Sequence, residues 1–142
     1  MELAWLTARP IAHRGLHDAA SGVVENTLAA ARAAVAKGYS IECDVLLSGD
    51  EEVVVFHDDT LERLTTAEGP VAARRFADLA ALEMRGTAER IPSLPQLLET
   101  IGGRVGLVVE LKSSFGRFPE NRLAERVAAA LAGYDGPVVT KS

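Results

Sequence analysis

The chain's apolar and polar positions change period several times, and the order of the changes predicts its elements. Residues 9–15, "RPIAHRG", form a short apolar run ending in His13, Arg14 and Gly15, which reads as a buried strand entering a loop. In residues 25–38, Leu28, Ala31 and Val35 recur at helical spacing; Asn26 is the expected N-cap and Gly38 the left-handed stop. "YSIECDVLLS" reads as a strand, "GDE" as a turn and "EVVVFH" as a second strand. Residues 58–92 loosen into loop, with one short helix around "RFADLAAL". Ser93 then opens a helix with Gln96 three residues on, a capping box, and Gly102 ends it. "RVGLVVELK" is an apolar strand, and Leu123, Val127 and Leu131 mark one face of an amphipathic helix. "GPVVTK" begins a further strand.

Strands that largely alternate with helices imply parallel pairing and an α/β fold, with strands buried on both faces. Five candidate strands fit a doubly wound sheet or part of a (β/α)8 barrel. The charged residues favour the barrel, where functional groups gather at the C-terminal strand ends. His13 ends the first strand, Glu42 and Asp44 lie on the second, His57 ends the third, and Glu110 and Lys112 end the fourth.

Composition narrows the function classes. With 142 residues, 48% of them hydrophobic, one domain with a sizeable core is expected. A net charge of -5 argues against a nucleic-acid surface, which needs a basic stripe, but not against a small anionic substrate. Cys43 is the single cysteine, so no intrachain disulfide forms, and it reads as a small core residue. No apolar run reaches the roughly 18 residues of a membrane span. The opening "MELAWLTARP" lacks the basic start and long apolar stretch of a signal peptide, so a cytoplasmic protein is expected.

Two residues apart on a strand, Glu42 and Asp44 leave the same face, and Glu110 and Lys112 repeat the relation. Converging carboxylates repel one another, and a hard divalent cation such as Mg2+ or Ca2+ resolves this through oxygen ligands. His13 and His57 suit acid–base work near neutral pH, and Arg14 and Lys112 suit an anionic group. Together they point to phosphoryl chemistry, in which charge stabilisation does most of the work.

At the level of motifs, "IAHRG", "ENTLAAARAAVAKG", "IECDVLLSGDEEVVVFHDDTLERLT", "IPSLPQLLE" and "LVVELK" occur collinearly. In that order they resemble the glycerophosphodiester phosphodiesterase family. The resemblance implies a (β/α)8 barrel, here about its first five strands, with an insertion after the third at about residues 58–92. It implies Mg2+ or Ca2+ held by Glu42, Asp44 and Glu110, His13 and His57 as general base and acid, and Arg14 and Lys112 on the phosphate. The implied reaction cleaves a glycerophosphodiester to glycerol 3-phosphate and an alcohol.

Blander readings compete with some of these assignments. Glu110 and Lys112 could be a strand-end ion pair, Glu25 and Asn26 read first as helix-start residues and second as site contacts, and Asp58 and Asp59 read as turn openers. A (β/α)8 barrel typically needs about 250 residues, so residues 1–142 are expected to be one domain cut short on its C-terminal side. A non-catalytic half barrel, or one completed by a second copy, is the competing expectation. A phospholipase D-like relative acting on intact lipids is a further one.

Overall fold

Five strands share one sheet in a computed structural model that describes residues 3–113 and 116–142. In chain order they are β1 (Ile11–His13), β2 (Ser40–Leu47), β3 (Val53–Val55), β4 (Leu107–Leu111) and β5 (Val138–Lys141). The helices are α1 (Trp5–Ala8), α2 (Leu28–Lys37), α3 (Phe76–Ala80), α4 (Leu94–Ile101) and α5 (Arg122–Leu131). The parallel path runs β1-β2-β4-β5, with α2, α4 and α5 in the three crossovers. That is the architecture of a partial (β/α)8 barrel.

One strand departs from the parallel expectation. β3 pairs antiparallel with β2, Leu47 opposite Val53 and Val45 opposite Val55. The reason lies in the turn at residues 48–52, where Ser48 accepts from Glu51 and the Ser48 hydroxyl from Glu52. So short a connection can only return antiparallel, because a parallel pairing needs a crossover of a dozen or more residues. The insertion therefore follows a hairpin strand, and the third parallel strand of the path is β4.

Alternation along β2 sorts its residues between two environments. Ile41, Cys43 and Val45 pack with Ala31 and Ala34 of α2, Leu97 and Ile101 of α4, and Val127 of α5. Each large aliphatic side chain buried there contributes about 1.5–3 kcal/mol. Cys43 lies in this core, as expected, and burial pushes its thiol well above the usual range. Leu46, Val54 and Phe56 meet a second core formed with Leu61, Val71, Leu79, Met84 and Ile91 of the insertion. The insertion is thus held to the sheet by apolar packing.

The helix signals hold at both ends of α4: Ser93 and Gln96 form the capping box, and Gly102 takes a left-handed conformation. At α2 the cap shifts by one residue. Thr27, not Asn26, accepts from the Ala30 N–H, while Asn26 sits at φ 56 with its carboxamide on Asp44. Trp5 lies against the backbone of Gly106, just before β4. A Cβ at Gly106 would fall 2.1 Å from the indole, so only glycine admits that contact.

Candidate active site

Strand register assembles the site before any side chain is considered. Neighbours across a parallel sheet share a face, and the pairings place His13 beside Glu42, and Asp44 beside Glu110 beside Lys141. These residues occupy the face opposite the helices, toward the C-terminal ends of the strands. Carboxylate oxygens of Glu42, Asp44 and Glu110 all lie within 4.8 Å of one another, a group that could hold a metal ion.

Asp44 is the deepest of the three, at 0% exposure. Its Oδ2 accepts from Asn26 Nδ2 at 3.1 Å, and its backbone N–H donates to Asn26 Oδ1 at 3.3 Å. The other oxygen, Oδ1, has the Lys112 ammonium at 3.4 Å yet accepts no hydrogen bond. A buried carboxylate oxygen without such a partner costs about 1–3 kcal/mol or more. Three convergent carboxylates with one orphaned oxygen are the donor set a hard divalent cation takes, so these residues fit the expected metal. Burial, reinforced by repulsion from Asp44, raises the Glu42 pKa.

The loop after β1 is bent to serve this cluster. Arg14 adopts φ 59, a conformation non-glycine residues rarely take, and its N–H donates to Glu42 Oε1 at 3.2 Å. Its guanidinium donates to Glu25 Oε2 at 2.9 Å, and its Nε stands 3.6 Å from Asp44 Oδ2. Gly15 follows at φ 78, pressed so close to α2 that a Cβ would lie 2.7 Å from that of Ala30. His13 is 67% exposed in its side chain, with Nε2 3.8 Å from Glu42 Oε1.

Across the face, Lys112 Nζ lies 3.1 Å from Glu110 Oε2, and Lys141 reaches the same carboxylate at 3.7 Å. Burial alone would lower the Lys112 pKa, but Glu110 and Asp44 outweigh it and raise it. Lys112 shares a cavity of about 380 Å³ with His57, Asp58, Asp59 and Leu46. There His57 Nδ1 is 2.7 Å from Asp58 Oδ1.

The seven residues assigned to the site from sequence lie on this face or border the cavity. Glu42, Asp44, Glu110, Lys112 and Arg14 form one ionic cluster joined by His13, while His57 lines the cavity together with Lys112 of that cluster. Sequence reasoning underrated three others. Glu25 and Asn26 were helix-start residues and Asp58 a turn opener, yet they hold Arg14, Asp44 and His57. The available signal was adjacency: "EN" precedes a threonine that caps equally well, and the first "D" of "HDD" can reach its neighbour's imidazole.

Comparison with known proteins identifies the family. The sequence model of the glycerophosphoryl diester phosphodiesterase family matches residues 13–135. A glycerophosphodiester phosphodiesterase of Caldanaerobacter subterraneus is 35% identical over 133 residues, covering 88% of this chain and 53% of the relative. A lysophospholipase D of Rattus norvegicus is 34% identical over 105 residues, 65% of this chain and 32% of that protein. Among solved structures, an Oleispira antarctica phosphodiesterase in complex with the product sn-glycerol-3-phosphate superposes with a TM-score of 0.82. It is 33% identical, and the match covers 93% of this chain and 56% of that one. The chain therefore spans about half the length of these two phosphodiesterases. The match to the family model takes in both histidines, the three carboxylates and both cations, and by it the chain belongs to the glycerophosphoryl diester phosphodiesterase family.

Proposed function

We propose that this chain forms the metal-holding, proton-transferring part of an enzyme that hydrolyses glycerophosphodiesters to glycerol 3-phosphate and an alcohol. The observation that carries the reading is the Glu42–Asp44–Glu110 cluster, with its orphaned Asp44 oxygen, flanked by His13 and Lys112. Those three carboxylates would hold Mg2+ or Ca2+, whose charge offsets that of the phosphoryl oxygens.

The remaining roles belong to the chain's own side chains. Arg14 and Lys112, already within 3.6 Å of Asp44, orient the phosphodiester by donating to its non-bridging oxygens. His13 accepts the proton of the attacking hydroxyl as the new P–O bond forms, from water directly or from the substrate's own 2-hydroxyl, whose cyclic phosphate product water then opens to glycerol 3-phosphate. His57, with Nδ1 on Asp58, presents Nε2 to the substrate and, in its protonated form, gives its own Nε2 proton to the departing alkoxide as the P–O ester bond breaks. Such proton transfers contribute about 10²–10⁴-fold each.

Release of glycerol 3-phosphate from glycerophosphocholine in the presence of Mg2+ or Ca2+ tests the assignment. Turnover is expected to fall by at least about a hundredfold in His13→Ala and in Glu42→Ala. Unchanged turnover in either variant overturns it. The rat lysophospholipase D supports a second reading, cleavage of the same bond in a lysophospholipid. Preference for lysophosphatidylcholine over glycerophosphocholine in the same assay would select it.

A further inference from the structure

A single guanidinium ties the insertion to the barrel side of the site. Arg63 donates to Asp58 from Nε at 2.8 Å and from Nη2 at 3.0 Å. It also donates to Glu25 from Nη1 and Nη2, both at 2.9 Å. Glu25 carries the connection to Arg14 at 2.9 Å, and Asp58 carries it to His57 at 2.7 Å. An unbroken ionic path therefore runs from the imidazole in the insertion to the loop that lies on Asp44.

We infer that Arg63 is a positioning residue: by gripping Asp58 and Glu25 at once, it fixes the ring orientation and tautomer of His57 relative to Arg14 and the carboxylate cluster. The inference rests on the proposed acid role of His57. With Asp58 held from the far side by two hydrogen bonds, its Oδ1 faces the imidazole and accepts the Nδ1–H. Nε2 is then the nitrogen left for the cavity: it takes up a proton there, and the resulting imidazolium donates it to a bound ester. Only a fork can span two carboxylates in this way, so lysine does not substitute.

Anchoring the insertion is the competing role, and the packing argues against it. The insertion already packs Leu61, Val71, Leu79, Met84 and Ile91 against Leu46 of β2, Val54 of β3 and Phe56, and Glu89 separately binds the Ala29 N–H of α2. The Arg63 side chain is 46% exposed, so its own burial adds little. Glu25, by contrast, is 8% exposed and needs its charge met by Arg14 and Arg63.

Nitrogen-15 NMR of the His57 ring in the full chain tests this, at a pH where the ring is neutral and without substrate or cation. The wild type is expected to show the Nδ1–H form, with Nε2 unprotonated. Arg63→Met is expected to raise the Nε2–H population at least fivefold while backbone signals keep their dispersion. Should Arg63→Met fail to fold, Glu25→Gln, which keeps the volume and removes the charge gripping Arg63, is read the same way. An unchanged tautomer in the folded variant overturns the inference. Because neither substrate nor cation is present, absence of diesterase turnover would sink the proposed reaction and leave this readout intact.

Discussion

At the scale of single residues, the site is a set of charges taken from water and matched locally. Asp58 shows the consequence most directly. Hydrogen bonds from Arg63, then from His57, hold its pKa down at about 2 against an ordinary 3.8, outweighing the opposing effect of burial. Glu25 is shifted the same way, because Arg63 and Arg14 outweigh its burial. A depressed folded pKa stabilises fully above the unfolded value and is lost as pH falls through the folded one. Stability is therefore expected to drop by about 1–2 kcal/mol for Asp58 between pH 5 and pH 2. Urea titrations across that range should show it, with a shallower drop in Asp58→Asn. An equally steep drop in that variant would rule out Asp58 as a source.

At the scale of elements, short segments depend on particular close approaches. α1 has four residues, too few to hold as a helix by itself, and Trp5 meets β4 over Gly106. Gly106→Ala is expected to push the indole away, because its new methyl would occupy the ring's place. The emission of Trp5, the single tryptophan, should shift to the red, with a stability loss of about 1–3 kcal/mol. An unshifted spectrum would mean that α1 does not depend on this contact.

At the scale of the molecule, one face of the sheet builds the core with the helices and the other gathers charge. Arg14, Lys112 and Lys141 meet part of the charge of three carboxylates on that second face, while Glu42, its pKa raised, still gains from a further cation. Mg2+ or Ca2+ should therefore raise the melting temperature, by about 2.7 kcal/mol of stability at a hundred times its dissociation constant. Chelation with EDTA should reverse the rise, and Glu42→Gln should abolish most of it. A melting temperature indifferent to both ions would remove the cation from the proposed function. Among the described residues, no helix is long and apolar enough to cross a membrane.

Much of this was legible in the chain itself, because periodicity and spacing are local properties. The two-residue interval of Glu42 and Asp44 dictated a shared face, and Ser93, Gln96 and Gly102 dictated where α4 begins and ends. The five-residue turn also required a hairpin at β3, although the parallel pattern around it invited the other reading. What the sequence could not decide was competition for partners. Asn26 is as good a cap as Thr27 until a buried Asp44 takes its carboxamide, and Asp58 and Glu25 are ordinary loop acids until Arg63 lies between them. The Asn26–Asp44 and Glu25–Arg63 pairings join residues 18 and 38 positions apart, and only the folded sheet and insertion bring them within hydrogen-bonding distance.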